Sequence, residues 1–372
     1  MEITAAVARG ADVPFSMETL TLEEPRPGEV LVRIVATGVC HTDLVTKGVF
    51  PAELPIVLGH EGAGVVEQIG SEVTGIEVGD HVLLTYASCG TCSRCVNGLP
   101  PYCENFVILN TSGGRSDFTS PLSSNGERVM GAFFGQSSFA THALVPARSI
   151  VVVDKDVDLV ATSPFGCGVQ TGAGAVANVM KPGPDDSIAI FGVGGVGMAA
   201  LMAARAIGAG TIVAIDLSAD RLAVAKELGA DVTIDGAAED VVAQIVAATG
   251  GGANFALDTT AVNAVIAKGL EALAPMGTLV LVGLGEASMD LEIGHLTGNG
   301  KAVRGCIEGS GDPQKFIPQL LQWHADGKFP IEKISKTYAF SDIDTALADA
   351  HHGTTIKPIL TFPVVRSRYG VH

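Results

Sequence analysis

The glycines at 192, 194 and 197 constrain this chain more than any other feature. They follow the apolar run Ile188, Ala189, Ile190, Phe191 and precede the stretch MAALMAARAIG. A glycine pattern in that strand, turn and helix context opens a βαβ unit. Gly192 permits the tight turn, Gly194 lets a pyrophosphate approach the backbone at the helix N-terminus, and Gly197 allows the helix to lie close to the sheet. Gly195 and Val196 complete the loop. Asp216 ends the next strand nineteen residues past Gly197. A carboxylate there accepts both ribose hydroxyls of an adenosine and repels a 2'-phosphate, so NAD is expected rather than NADP.

The same alternation continues through TIVAID, the helix DRLAVAKELGA, DVTID and the strands NFALDTT and TLVLVGL, closing near residue 306. Strand and helix in alternation make a parallel sheet with crossover helices. Upstream, from Glu29 to about Leu84, short runs (VLVRIV, GAGVVEQIG, DHVLLTY) alternate with Gly and Pro, the pattern of an all-β unit. Residues 105–137 are polar, rich in Ser and Gly and without helical period, and are expected as a long excursion on the surface or over a site. The tail offers a helix around KFIPQLLQWHADGK and a last strand, PILTF. A chain of 372 residues exceeds one ordinary core. The expected division is therefore α/β in two domains, residues 1–168 with 307–372 returning to them, and residues 169–306.

Charge narrows the partners. With 23 basic against 40 acidic residues the net charge is -17, a field that repels nucleic-acid backbones and anionic lipid surfaces. Residues 188–204 are uncharged but carry four glycines, and Arg205 ends the run short of the ~20 residues a membrane span needs. The opening MEITAAVARGADVPF has neither the basic start nor the continuous apolar run of a secretory signal, so a cytoplasmic location is expected.

Six of the seven cysteines fall into two sets. Cys89, Cys92, Cys95 and Cys103 form C-x2-C-x2-C-x7-C, a loop able to wrap four thiolates around one ion with no position left open, as in structural zinc sites. An iron-sulfur run would need its fourth cysteine sooner and followed by proline. Cys40 and Cys167 lie far apart in sequence, in Cys40-His41-Thr42-Asp43 and Gly166-Cys167-Gly168. His60, in Gly59-His60-Glu61, can join them to give two thiolates, one imidazole and an open fourth position, the set suited to catalytic zinc. By spacing alone, inert buried cysteines and a hydrogen-bonded core histidine remain open. Cys306 has no motif around it.

These residues resemble the zinc-containing medium-chain alcohol dehydrogenase family, over nearly the whole chain from VLVRIVATGVCHTDL to IKPILTF. Within the family the similarity runs to bacterial aryl-alcohol (benzyl alcohol) dehydrogenases, through VLGHEGAGVVEQIG, QSSFATHAL, GCGVQTGAGA, EGSGDPQKFIPQL and GKFP. The resemblance implies a GroES-like β-rich catalytic domain beside a Rossmann doubly wound parallel sheet, with NAD and two zinc ions per subunit. It implies Cys40, His60 and Cys167 on the catalytic zinc, which activates an alcohol for hydride delivery to the nicotinamide. Thr42 is implied as the acceptor of the hydroxyl proton. Asp43 would hold the tautomer of His60, and Glu61 would lie behind the metal and tune it. Relatives often carry a histidine five residues past the first ligand cysteine; this chain has Val45, and water is expected to complete the proton relay.

For the cofactor, the resemblance implies His41 and Lys357 against the pyrophosphate, Arg221 on the adenosine ribose beside Asp216, Thr171 and Val196 under the nicotinamide, and the backbone near Val282 on its carboxamide. Phe133 and Phe134 fall where relatives line the substrate channel, which points to a primary aryl or allylic alcohol. The expected assembly is a homo-oligomer, dimer or tetramer, built by extending the nucleotide-domain sheet, with TLVLVGL as its edge strand. Alternatives are a glutathione-dependent formaldehyde dehydrogenase, a broad aliphatic alcohol dehydrogenase, a zinc-free quinone reductase, and a non-enzymatic protein that binds zinc and nucleotide.

Overall fold

A computed structural model describes residues 1–51 and 53–363. The chain divides into two compact units, one of Met1–Cys89, Asn105–Gly166 and Ser335 onward, the other of Gly90–Glu104 and Cys167–Ile334.

The first unit is built on two sheets. The larger runs in the order Ile150–Val153, His81–Leu84, Gly62–Ile69, Glu29–Gly38, Lys357–Thr361, Ser335–Ala339, and His142–Pro146 also pairs with Glu29–Gly38. Val30, Val32 and Ile34 of the central strand close on Val66, Val82, Leu84 and Val145 in one apolar cluster. Burial on alternate residues is what fixes the register of such a strand, because a slip of one position would turn these side chains to the other face. The last strand lies antiparallel to the central one, with Ile359 opposite Gly38 and Thr361 opposite Ala36. That register carries Lys357 to the end of the central strand, just ahead of Cys40.

The smaller sheet runs Ile56–Val57, Glu2–Ala8, Ser16–Leu22, Leu122–Ser124, Glu127–Val129. Its last two strands come from the segment expected to be a long excursion, to which the structure adds short regular elements. Residues 105–137 contain the helix Phe106–Thr111, this hairpin, and the turn Phe133–Gly135. A helix of six residues is too short to show a period. The hairpin did have a signal, since Asn125 and Gly126 both take positive φ at its tip, as a tight two-residue turn requires. Asn110 anchors the helix by bonding both backbone groups of Ala87, at 2.8 and 2.9 Å.

The second unit holds a six-stranded parallel sheet in the order Val232–Asp235, Thr211–Asp216, Ser187–Phe191, Ala253–Asp258, Leu273–Leu281, Ala302–Gly305. Its inner strands are almost wholly buried, as a parallel sheet covered by helices on both faces demands. TLVLVGL belongs to an interior strand, so the edge expected there lies one strand further out, at the exposed Ala302–Gly305. Residues 307–334, which the sequence division returns to the first domain, here sit in the second unit. Their helix Pro313–Ala325 is capped by Asp312 and packs on the helix Gly168–Gly174. Among the described residues no helix is long and apolar enough to cross a membrane.

Candidate functional site

The helix His41–Val49 starts at Cys40, and its third residue, Asp43, turns back to accept a hydrogen bond from the Cys40 backbone N–H at 3.0 Å. The other Asp43 oxygen accepts from the Gly59 N–H at 3.0 Å and lies 2.9 Å from His60 Nδ1. One fully buried carboxylate thus joins the two motifs Cys-His-Thr-Asp and Gly-His-Glu. With Nδ1–H donating to Asp43, His60 Nε2 is left to present its lone pair. That atom is buried with no hydrogen-bond partner among the described residues.

A buried nitrogen without a partner costs free energy, unless a ligand completes it. The sulfurs of Cys40 and Cys167 and a ring nitrogen of His60 all lie within 4.8 Å of one another. Burial opposes charge on the His60 ring, but Asp43 and Cys40 outweigh it and lift its pKa well above that of free imidazole. Among the described residues no fourth metal-ligating side chain joins this group, and two thiols with one oriented imidazole fit a zinc ion with an open position. Thr42 Oγ1 stands 3.6 Å from Cys40 Sγ. Val45, three residues past Thr42 in the same helix, is exposed.

Phe133 and Phe134 are buried against the same histidine. Phe134 stacks on its ring at 4.5 Å between centroids, and Phe133 meets it edge-on at 5.4 Å. Phe134 has φ of 50°, a left-handed backbone that a phenylalanine adopts at a cost of about 1–3 kcal/mol. Glu61 is fully buried, and burial raises its pKa although the Lys357 ammonium works the other way. Lys357 Nζ lies 2.8 and 3.0 Å from the two Glu61 oxygens. The Lys357 ammonium, expected against the pyrophosphate, is thus engaged with Glu61 inside the first unit. His41 is exposed at the start of its helix.

The four remaining motif cysteines also converge, their sulfurs all within 4.8 Å. Cys92 and Cys103 are 4.0 Å apart, too far for a disulfide at about 2.05 Å. Four thiolates around zinc at about 2.3 Å would stand about 3.8 Å from one another, so the spacing suits that ion. The short helix Ser93–Val96 and the turn Pro100–Tyr102 shape the loop, and Tyr102 Oη bonds Ser310 Oγ at 2.6 Å.

In the second unit the glycine loop joins the strand Ser187–Phe191 to the helix Gly195–Ile207. Gly192 has φ of 83°, and a Cβ on Gly197 would come within 2.0 Å of the Gly192 carbonyl oxygen. Around Gly194 a Cβ would meet nothing within 4 Å. Two glycines are thus required by the fold, and the third leaves open backbone at the helix start, where the N–H groups attract an anion. Asp216 accepts from the Val193 and Ser218 N–H groups at 2.8 and 2.9 Å. Arg221 approaches it at 3.9 Å, and its Nε is buried without a partner among the described residues. Val196 packs on the helix of Thr171, where Gly172 allows the contact, and Val282 follows the strand Leu273–Leu281.

Sequence reasoning missed three residues here. Glu308, with φ of 48°, brings a buried carboxylate 3.6 Å from Cys167 Sγ and accepts from Gln170 Nε2 at 3.1 Å. Gln136 and Thr85 bond the main chain beside the ligands. Gln136 and Glu308 open the stretches QSSFATHAL and EGSGDPQKFIPQL, and Thr85 lies in DHVLLTY, but no spacing pattern gave any of them a role.

The chain matches two family profiles, one described as the alcohol dehydrogenase GroES-like domain over residues 26–155, the other as zinc-binding dehydrogenase over residues 195–326. It is 45% identical over 362 residues to a geraniol dehydrogenase of Castellaniella defragrans, covering 96% of this chain and 97% of that protein. Among solved structures it resembles an alcohol dehydrogenase zinc-binding domain protein from Burkholderia ambifaria, at 46% identity, TM-score 0.95 and coverage of 98% and 99%. It also resembles benzyl alcohol dehydrogenase from Acinetobacter calcoaceticus, at 42% identity, TM-score 0.94 and coverage of 98% and 100%.

Proposed function

Because this chain belongs to the zinc-containing medium-chain alcohol dehydrogenases, NAD-dependent enzymes with a GroES-like and a Rossmann domain, we propose that it oxidises primary aryl or allylic alcohols to aldehydes, reversibly, at Cys40, His60 and Cys167. The observation that carries this reading is the orphaned His60 Nε2 with the two sulfurs around it. The relatives named for geraniol and benzyl alcohol support the substrate class, since both alcohols carry the hydroxymethyl group beside a π system.

When bound, zinc supplies the Lewis acid that lowers the alcohol's pKa, and NAD accepts the hydride. Asp43 holds His60 in the tautomer that presents Nε2. Thr42 accepts the hydroxyl proton beside Cys40, and water carries it onward where Val45 offers no base. Phe133 and Phe134 give the π system an apolar wall, and Glu61 tunes the centre from behind. Gly192, Gly194, Gly195, Val196 and Gly197 seat the pyrophosphate, while Asp216 and Arg221 hold the adenosine ribose. Thr171, Val196 and Val282 place the nicotinamide, and His41 adds positive charge for the phosphates. Cys89, Cys92, Cys95 and Cys103 hold the second, structural zinc. The enzyme works as a cytoplasmic homo-oligomer, joined along the exposed edge strand Ala302–Gly305.

The test is NADH formation by absorbance with benzyl, cinnamyl and geranyl alcohols, hexanol and ethanol, repeated with NADP and after chelation. Turnover of the aryl and allylic alcohols, weak with NADP and lost with the metal, is the expected result. A kcat/KM for ethanol equal to that for benzyl alcohol would remove the substrate assignment.

A further inference from the structure

Gln136 is fully buried, and its amide is used on three sides. Its Oε1 accepts from the Gly62 N–H at 3.0 Å, and its Nε2 donates to the His60 carbonyl at 2.9 Å and to the Thr85 carbonyl at 3.4 Å. The side chain therefore clips the main chain on both sides of Glu61. Thr85, also fully buried, donates from Oγ1 to the carbonyl of Gly166 at 2.8 Å, the residue bonded to Cys167. A continuous polar path runs from the backbone of His60 through Gln136 and Thr85 to the backbone that delivers Cys167.

The segment that carries Gln136 is shaped to put it there. Phe134, Gly135 and Ser137 all take positive φ, and the chain then runs along the motif, with Ser138 N–H on the Gly59 carbonyl and Phe139 N–H on the Leu58 carbonyl, both at 2.9 Å. A buried amide is costly unless its groups are bonded, and an apolar side chain would fill the same space at lower risk. What the amide adds is direction: it holds two peptide groups whose orientation sets where the ligand side chains point.

We infer that Gln136 and Thr85 are positioning residues for the metal of the alcohol site, fixing the separation of His60 from Cys167 as Asp43 fixes that of Cys40 from His60. The inference rests on the assignment of Cys40, His60 and Cys167 as the ligands. Partners that orient ligands typically change metal affinity about 10–100-fold when altered. Loss of the brace therefore loosens one zinc and leaves the four-cysteine zinc as it was.

The experiment follows zinc release from the purified holoenzyme to a chromogenic chelator, with the visible spectrum of cobalt-substituted protein and the Tm recorded alongside. Cys40→Ser and Cys103→Ser identify which release phase belongs to which site. Gln136→Glu keeps the acceptor for Gly62 and loses the donor to His60; Thr85→Val keeps the volume and loses the bond to Gly166. Both are expected to speed the phase that Cys40→Ser abolishes by tenfold or more, leave the other phase unchanged, and shift the cobalt bands. Should Gln136→Glu fail to fold, Thr85→Val carries the test alone. Release and cobalt spectra like wild type in both variants, or equal acceleration of both phases, would overturn the brace, whatever the Tm. If instead Cys40→Ser removes neither phase, the ligand assignment itself has failed.

Discussion

Lys357 and Glu61 form a buried ion pair across 296 residues of sequence, the ammonium 2.8 Å from one carboxylate oxygen, with side-chain exposures of 5% and 0%. Removing one member of such a pair leaves a charge without compensation and costs about 3–5 kcal/mol, whereas replacing both is far cheaper. Lys357→Met is expected to destabilise by that amount. Lys357→Met with Glu61→Gln should recover most of it, as denaturant unfolding of both proteins will read out.

The two zinc sites should separate by what their loss does. Cys103→Ser breaks a closed four-thiolate loop and is expected to lower zinc content by about one ion per chain and to reduce Tm, since structural zinc contributes folding energy directly. Cys167→Ser should lose turnover with a smaller change in Tm. Metal analysis with calorimetry on both variants checks this; equal Tm losses would speak against the division.

Asp216 accepts two backbone N–H groups and faces Arg221. On the proposed reading, Asp216→Asn removes the charge that would exclude a 2'-phosphate. With charged hydrogen bonds contributing about 1.5–3 kcal/mol, the preference for NAD over NADP in kcat/KM should shrink ten- to a hundredfold. Parallel kinetics with both cofactors give the ratio.

His142, which belongs to neither proposed ligand set, supplies a pH test. Burial lowers its pKa from 6.5, and Glu67, 3.2 Å away, offsets this only in part. The unfolded chain therefore takes the proton first as pH falls, so stability declines from about pH 6.5 down to the lowered folded value and then levels. His142→Gln should remove that decline, and the variant should gain on wild type between pH 7.5 and 5.5 in urea unfolding. A constant difference across the range would contradict it.

The parts of this molecule legible in its sequence were those written in short, local patterns. Gly192, Gly194 and Gly197 stand within six residues and carry their strand and helix with them, and Cys89 to Cys103 close their own loop. Partners brought together by the fold left no such trace. Nothing local ties Lys357 to Glu61, and its basic charge suited a phosphate equally well. Gln136 and Thr85 act on main-chain groups, which every residue possesses, so no pairing of residue types announces them. The edge strand Ala302–Gly305 is four exposed residues long and shows no alternation to read. The helix Phe106–Thr111 escaped for the same reason of length.

The glycine loop will also divide under mutation into two kinds of position. At 192 and 197 a side chain meets a left-handed backbone or a carbonyl oxygen 2.0 Å away, so alanine there should be rejected before any ligand arrives. At 194 the protein itself leaves room for a methyl group. A saturation library sorted on cellular abundance would pass position 194 and deplete the other two, while the same library sorted on growth by alcohol oxidation would deplete all three. That outcome would give an engineer altering cofactor use one loop position that the fold tolerates and the coenzyme does not.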